Sequence, residues 1–345
     1  MSLYRLARPL LFSLDPETAH LLTLKAAGLF KFAFPAVPPC PRRAMGLEFA
    51  NPVGAAAGLD KHAEHIDALA ALGFGFLELG GVTPRSQAGN PRPRLFRIPE
   101  AGAIINRFGL NSVGAEAFVE NLKRSRAKCI IGVNIGKNRD TPNERAADDY
   151  ERCLVVLYPH IDYVSINVSS PNTKGMRDLQ SVELLTPLLR TLFQRREALR
   201  ERHGRHVALA LKISPDIDDV ELRAVADVAR HERVDGIVAT NTTVSRESVR
   251  GCRHADEDGG LSGAPLRERS TTVLRALAAL VKGELPLIGV GGIMSGDDAR
   301  EKFAAGASLV QIYTGLVYRG PSLISECGAA ARREGLAATA PATLG

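Results

Sequence analysis

Tryptophan is absent from this 345-residue chain, and aromatic residues make up only 5% of it. Cysteine is scarce: Cys40, Cys129, Cys153, Cys252 and Cys327 are odd in number and none stands in a C-x-x-C pair. That pattern argues against a disulfide framework, a zinc site or a cysteine-held iron–sulfur cluster, and for a reducing compartment. No apolar run reaches the roughly 18 residues of a spanning helix. A signal peptide is not expected either, because the apolar patch Pro9-Leu-Leu-Phe-Ser-Leu14 is short, is broken by Asp15 and is followed by no small-residue cleavage site. The net charge is +6 and the pI about 9.2, but the basic residues are dispersed, without a long run or interleaved aromatics. Nucleic-acid binding is therefore not expected.

What is present begins with two short helices. Leu3, Leu6, Ala7, Leu10 and Leu11 recur at helical spacing, and Asp15-Pro16-Glu17 reads as an N-cap, a first-turn proline and a first-turn acid. The second helix should stop before Pro35, where a proline-rich linker runs to Pro41. The polar positions are mostly basic (Arg5, Arg8, Lys25, Lys31). An apolar face with basic flanks suits an interfacial helix on an anionic membrane, and equally a hairpin packed on the body or a dimer contact.

From residue 44 apolar strands ending in glycine or polar residues alternate with amphipathic helices. Strands are expected at 53–58, 76–82, 129–135, 163–168, 208–213, 236–240, 287–290 and 308–313, with helices near 62–72, 114–126, 143–158, 181–202, 217–231, 266–282, 297–305 and 321–334. Eight tandem units predict an α/β fold, a parallel (β/α)8 TIM-type barrel with a small N-terminal helical extension; an open doubly wound sheet is the alternative. The domain reading is residues 1–40 as the helical segment and 41–345 as the barrel.

In such a barrel chemistry sits at the C-terminal strand ends. The first carries Ala57, Gly58 and Lys61; the second Gly81 and Thr83; the third Asn134; the fifth Lys212; the sixth Thr240, Asn241 and Thr242. The fourth ends in Asn167-Val-Ser-Ser-Pro-Asn-Thr173, where Pro171 cannot continue a strand and amides and hydroxyls concentrate. Lys212 interrupts an apolar strand, and burying an ammonium without an anion is costly, so it reads as functional. Gly289-Val-Gly-Gly-Ile293 and Gln311-Ile-Tyr-Thr-Gly315 end the last two strands, the recurrent place for a phosphate. The histidines fall at no strand tip; His62 and His65 share a helix face and read as surface residues, and no metal site is expected. Segment 244–263 reads as a lid over the site, or as an ordered surface insertion.

Ala57-Gly-Leu-Asp-Lys61, Asn106-Arg-Phe-Gly-Leu-Asn111, Asn134-Ile-Gly-Lys-Asn138, the Asn167–Thr173 stretch, Ala239-Thr-Asn-Thr-Thr243, Gly259-Gly-Leu-Ser-Gly263 and the two glycine-bearing strand ends together resemble the dihydroorotate dehydrogenase family. The match runs in order over nearly the whole chain. It is similar to the quinone-dependent (class 2) branch, because Ser170 stands where class 1 enzymes carry Cys and because of the N-terminal helices. The resemblance implies one FMN per subunit, held by Ala57, Gly58, Leu59, Asp60, Lys61, Gly81, Asn134, Asn167, Lys212, Thr240, Gly263, Gly292, Tyr313 and Thr314. It implies dihydroorotate or orotate bound by Lys61, Asn106, Arg107, Phe108, Gly109, Leu110, Asn167, Asn172, Asn241 and Thr242. Two departures stand out: Gly81 where the family often has Thr, and Leu110 where close relatives often have Phe.

The implied reaction removes a proton from C5 and a hydride from C6, in pyrimidine (UMP) biosynthesis. Ser170 is the expected base, with Thr173 and a water as its relay. Electrons would leave to ubiquinone or menaquinone through a tunnel formed by residues 1–35, with His20 and Arg97 at its inner end. The expected chain is a monomer attached peripherally to the cytoplasmic face of the cell membrane. Three rivals remain: a class 1 enzyme using fumarate or a nicotinamide partner, a barrel lyase using Lys212 or Lys61 as a Schiff base, and a non-enzymatic membrane module.

Overall fold

The computed structural model describes residues 3–29 and 37–334. Helices α1 (Leu3–Ser13) and α2 (Pro16–Leu29) form the N-terminal hairpin. Asp15 caps α2 as its sequence suggests, its carboxylate accepting from the Thr18 N–H and hydroxyl, each at 2.9 Å. The expected helix stop before Pro35, and the first part of the linker, lie outside the described residues.

The next two strands, β1 (Arg42–Ala44) and β2 (Leu47–Phe49), pair as an antiparallel hairpin. The turn places Met45 and Gly46 at φ 52° and 74°. Met45 and Phe49 pack against Phe76, Tyr163 and Ile288 and plug one end of the barrel. This hairpin was not legible in the sequence, since three-residue strands rich in charge carry no alternation worth reading.

Then come β3 (Val53–Ala55), α3 (Ile66–Ala71), β4 (Phe76–Val82), β5 (Leu95–Ile98) and β6 (Ala103–Asn106). They are followed by α4 (Ala115–Leu122), β7 (Ile130–Ile135), α5 (Ala146–Leu157), β8 (Tyr163–Asn167), α6 (Val182–His203) and β9 (Ala208–Ile213). The chain continues through α7 (Asp219–His231), β10 (Gly236–Ala239), β11 (Gly260–Gly263), α8 (Arg267–Val281) and β12 (Leu287–Val290). It ends with α9 (Gly296–Ala304), β13 (Leu309–Ile312), α10 (Thr314–Arg319) and α11 (Ser322–Arg333). The barrel closes in the order β3-β4-β7-β8-β9-β10-β12-β13, all neighbours parallel. The (β/α)8 reading therefore holds and the open sheet does not.

Period-two alternation sorts the strand residues. Leu209, Leu211 and Ile213 of β9 join the outer core under the helices, while Ala208 and Ala210 belong to the inner one. Inside, the floor is apolar (Phe76, Tyr163, Leu309). Glu78, Asn134, Asn167, Lys212 and Gln311 fill the layers above it and are all buried.

Strands β5, β6 and β11 form a separate antiparallel sheet in the order β11-β6-β5. Phe96, Ile98, Ile105, Val249 and Leu261 give it a core of its own. The segment read as a lid is thus half fixed wall: residues 260–263 are a strand of this sheet, and Arg246 holds the preceding turn through the carbonyls of Glu257 (2.9 Å) and Gly259 (2.6 Å). His62 and His65 also need correction, since α3 begins only at Ile66 and both lie in the half-buried turn before it.

Candidate active site

A cleft enclosing about 1100 Å³, its open mouth included, occupies the C-terminal end of the barrel under the antiparallel sheet. Ala57, Gly58, Lys61, Gly81, Asn106, Phe108, Gly109, Leu110, Asn134 and Asn167 line it. So do Ser170, Asn172, Lys212, Thr240, Asn241, Thr242, Gly263, Gly292, Tyr313 and Thr314. Three expected residues do not. Leu59 is buried in the outer core and its carbonyl accepts from His20 Nε2 at 2.8 Å. Asp60 turns inward, taking the N–H groups of His62, Glu64 and His65 to fold the turn after β3. Arg107 points away, paired with Glu257 at 2.6 Å and lying over the Phe96 ring. Thr83 is fully buried and donates to the Arg85 carbonyl, so it too is unavailable to a ligand.

The amide cluster is a directed chain. Glu78, fully buried, accepts from Lys212 Nζ (2.9 Å), Asn134 Nδ2 (3.2 Å), Gln311 Nε2 (2.7 Å) and Tyr163 Oη (3.3 Å). A carboxylate can only accept, so Asn134 must turn its NH2 toward Glu78 and its Oδ1 upward. That Oδ1 accepts from Asn167 Nδ2 at 3.0 Å, and Asn167 Oδ1 in turn accepts from Asn241 Nδ2 at 3.3 Å. One charge in the barrel thus orients three amides at the mouth. Lys212 was expected to need an anion; Glu78 supplies it from 134 positions away in sequence, which is why no local pattern announced it.

Tyr150 donates to the Asn167 carbonyl at 2.6 Å and fixes the end of β8 from behind. Beyond it Ser170 Oγ faces the cleft and accepts from the Asn172 N–H at 3.3 Å. Asn172 Nδ2 reaches Asn106 Oδ1 at 3.1 Å, linking this loop to β6. Several buried acceptors stay open: Asn172 Oδ1, Asn111 Oδ1, Thr173 Oγ1 and Gln311 Oε1 have no partner. Buried polar atoms are seldom left so in a finished core, and Asn111, Asn172 and Gln311 line the cleft, so these point to a polar ligand. Asn111 stood at the end of a quoted motif but was not read as a site residue.

Lys61 lies 4.1 Å from the Phe108 ring centroid. Burial first, and the Arg94 guanidinium second, push its pKa down to about 8. Arg94 is itself held by Glu17 of α2 at 2.8 Å and packs over the same Phe108 ring at 5.2 Å. The N-terminal hairpin is thereby tied to the anion-facing wall.

The two departures at Gly81 and Leu110 meet in space. A Cβ on Gly81 would stand 2.6 Å from Leu110 Cδ2, so Leu110 occupies the room a larger residue at 81 would take. The glycine ends of the last strands are equally constrained. Gly263 and Gly292 have φ of 97° and 77°, and a Cβ there would lie 2.2 Å from the Gly102 carbonyl and the Arg267 backbone.

Residues 42–329 match the family model described as dihydroorotate dehydrogenase. The chain belongs to the dihydroorotate dehydrogenase family. Among its relatives are the dihydroorotate dehydrogenase (quinone) of Aromatoleum aromaticum, 56% identical over 94% of each chain, and that of Ralstonia nicotianae, 54% identical over 96% of this chain and 99% of the relative. Among solved structures, the DHODH of Eimeria tenella in complex with ferulenol superposes with a TM-score of 0.87 at 37% identity, covering 93% of each chain. Its ligand-free form gives 0.85 at 39%, covering 91% of this chain and 93% of that one. These relatives put the chain in the quinone-dependent branch of the dihydroorotate dehydrogenases, a flavin-dependent family, and set aside the lyase and membrane-module readings.

Proposed function

We propose that the chain oxidises (S)-dihydroorotate to orotate with FMN and passes the electrons to a membrane quinone, as a step in pyrimidine (UMP) synthesis. The observation that carries the reading is the cleft itself: a serine, two lysines and an oriented amide chain converge beneath two glycine-rich strand ends. The fit to a flavin phosphate and ring rests on the same wall. Gly58, Gly263 and Gly292 present bare backbone, Thr314 and Ser262 hydroxyls meet at 2.8 Å, and the Gln311 Oε1 acceptor lies open at the floor.

Ala57, Gly58, Lys61, Gly81, Asn134, Asn167, Lys212, Thr240, Gly263, Gly292, Tyr313 and Thr314 would hold FMN; Leu59 and Asp60 drop out of that set. When bound, FMN supplies the acceptor for the hydride from C6 and the donor to quinone. Lys212, kept in place by Glu78, holds positive charge at the cleft floor, where negative charge on a reduced ring would be stabilised. Lys61, Asn106, Asn172 and Asn241 would fix the substrate carboxylate and ring amides; Phe108, Gly109, Leu110 and Thr242 complete the wall, and Arg107 acts only from outside it.

Ser170 Oγ is the base for the C5 proton. A serine hydroxyl is too weak an acid to wait as an alkoxide, so it must release its own proton as it accepts one. Thr173 Oγ1, buried and without a partner, is the open acceptor near it in sequence, with a water as the remaining link. The serine in place of cysteine also favours quinone over fumarate as the final acceptor.

The N-terminal segment, residues 1–40 on a barrel of 41–345, serves the quinone. Leu6 and Leu10 are 68% and 71% exposed, while the opposite side of α1 is fastened: Arg8 donates to the Tyr318 carbonyl at 3.0 Å and Phe12 meets the Tyr318 ring edge-on at 5.4 Å. Packing on the body and contact with a membrane thus use different faces. Among the described residues no helix is long and apolar enough to cross a membrane. We take the attachment as peripheral, on the cytoplasmic face of the cell membrane, and the chain as a monomer. His20 stacks parallel to Tyr313 at 6.4 Å and stays neutral, burial pushing its pKa down to about 4. It suits a quinone path better than Arg97, whose guanidinium is spent on the carbonyls of Leu11, Phe12 and Leu14.

The test is single-turnover flavin bleaching by dihydroorotate in Ser170→Ala. Loss of general-base help should slow it by about 10²-fold or more, with flavin content unchanged. Bleaching at the parent rate would remove Ser170 from the mechanism.

A further inference from the structure

Lys302 is an anomaly in the helical layer. It lies on α9, is fully buried, and has no carboxylate partner among the described residues. Its Nζ meets two hydroxyls instead, Ser270 Oγ at 2.5 Å and Thr271 Oγ1 at 2.7 Å on α8, with the Arg267 carbonyl at 3.4 Å. Burying an ammonium on neutral partners is costly, and a Leu or Met would fill the space for less. Burial pushes its pKa down to about 7; Glu301 and Asp298 on its own helix oppose this, and Arg267 and Arg275 on α8 add to it.

The cost has a structural return on the cleft side. Ser270 Oγ lies 3.0 Å from the Gly291 carbonyl, with Leu266 and Arg267 carbonyls at 2.8 and 3.1 Å. An ammonium donates and cannot accept, so while Lys302 is charged the Ser270 proton must go to these carbonyls. The Gly291–Gly292 peptide is trans, and in a trans peptide C=O and N–H point to opposite sides. With the Gly291 carbonyl turned to Ser270, the Gly292 N–H is turned toward the cleft that both glycines line. That N–H has no acceptor among the described residues.

We propose that Lys302 is a positioning residue for the cofactor's phosphate, holding the Gly291–Gly292 peptide through Ser270 so that the Gly292 N–H faces an anion in the cleft. The inference rests on the FMN reading above and concerns only the phosphate end of that ligand. Lys302 touches no ligand itself.

The experiment compares FMN with riboflavin, which lacks the phosphate, by fluorescence titration of the full-length chain after its flavin has been removed. In Lys302→Met the affinity for FMN should fall on the order of tenfold to a hundredfold, the scale of one charge-assisted hydrogen bond, while that for riboflavin stays level. Ser270→Ala should do the same with the lysine intact, and Thr271→Val, which spares the loop, should change neither. Equal losses for both flavins, or no loss in Lys302→Met and Ser270→Ala, would overturn the proposal and leave Lys302 a packing residue. A parent chain that binds both flavins equally would remove the phosphate reading, and this proposal with it; one that binds neither would remove the flavin as well.

Discussion

Raising the pH should loosen the site's grip on an anionic substrate. The group responsible is Lys61, whose pKa burial and then Arg94 push down to about 8, whereas an unperturbed lysine stays charged to about pH 10. Glu17 opposes the shift, but its carboxylate is engaged by Arg92 at 3.0 Å and Arg94 at 2.8 Å. A substrate carboxylate binds the ammonium form and raises the lysine's pKa in the complex. The complex therefore keeps a proton that the free site releases above pH 8, and affinity is level below that value and falls above it. Between pH 7 and 9 the charged fraction drops from about nine-tenths to about one-tenth, so the orotate Kd should rise about tenfold, or about 1.4 kcal/mol. The assay is titration with orotate, followed by the flavin absorbance, across that range. Lys61→Met should bind orotate weakly at pH 7 and show no such slope. A flat profile in the parent, or the same slope in Lys61→Met, would refute the reasoning.

Glu78→Gln should cost about 3–5 kcal/mol, because it strands the Lys212 ammonium inside the barrel, and at about 2–4 °C per kcal/mol the melting temperature should drop by roughly 10 °C; a loss under about 1 kcal/mol would mean the pair is not the anchor argued here. Combining Glu78→Leu with Lys212→Met should recover most of that stability while losing flavin affinity, read from melting curves and bound flavin together. Gly81→Thr should destabilise by about 1–3 kcal/mol through the Leu110 contact, and Leu110→Ala in the same chain should relieve it; equal melting of the single variant and the parent would show that Leu110 yields freely. Deleting residues 1–35 should abolish quinone reduction and spare flavin reduction by dihydroorotate, with a higher KM since Arg94 loses Glu17; intact quinone turnover after deletion would refute the tunnel.

Much of this fold was legible because the barrel strands are apolar runs followed by small or polar residues, each with an amphipathic helix before the next barrel strand. The strands at Phe76–Val82, Ala208–Ile213 and Leu287–Val290 match their expected bounds and the others differ by one to three residues in all. The cleft was legible for the same reason: strand ends 22 to 53 residues apart in sequence must converge once the barrel closes. The failures share a different cause. Glu78, Lys302 and Glu17 act through partners far along the chain, so no spacing marks them. Asp60 and Arg107 sit inside motifs that line the cleft, yet their side chains turn away from it to hold the loops that carry their neighbours. The sheet of β5, β6 and β11 joins segments more than 150 residues apart, which made a fixed wall look like part of a lid.

The central claim is that one cleft oxidises dihydroorotate and hands the electrons to a quinone. The full-length protein, purified with its flavin, should bleach when dihydroorotate is added without oxygen, and a ubiquinone analogue should restore the colour where fumarate does not. Recovery with fumarate would contradict the quinone assignment and leave the N-terminal hairpin without a role. A yellow protein that dihydroorotate fails to bleach would contradict the substrate assignment itself.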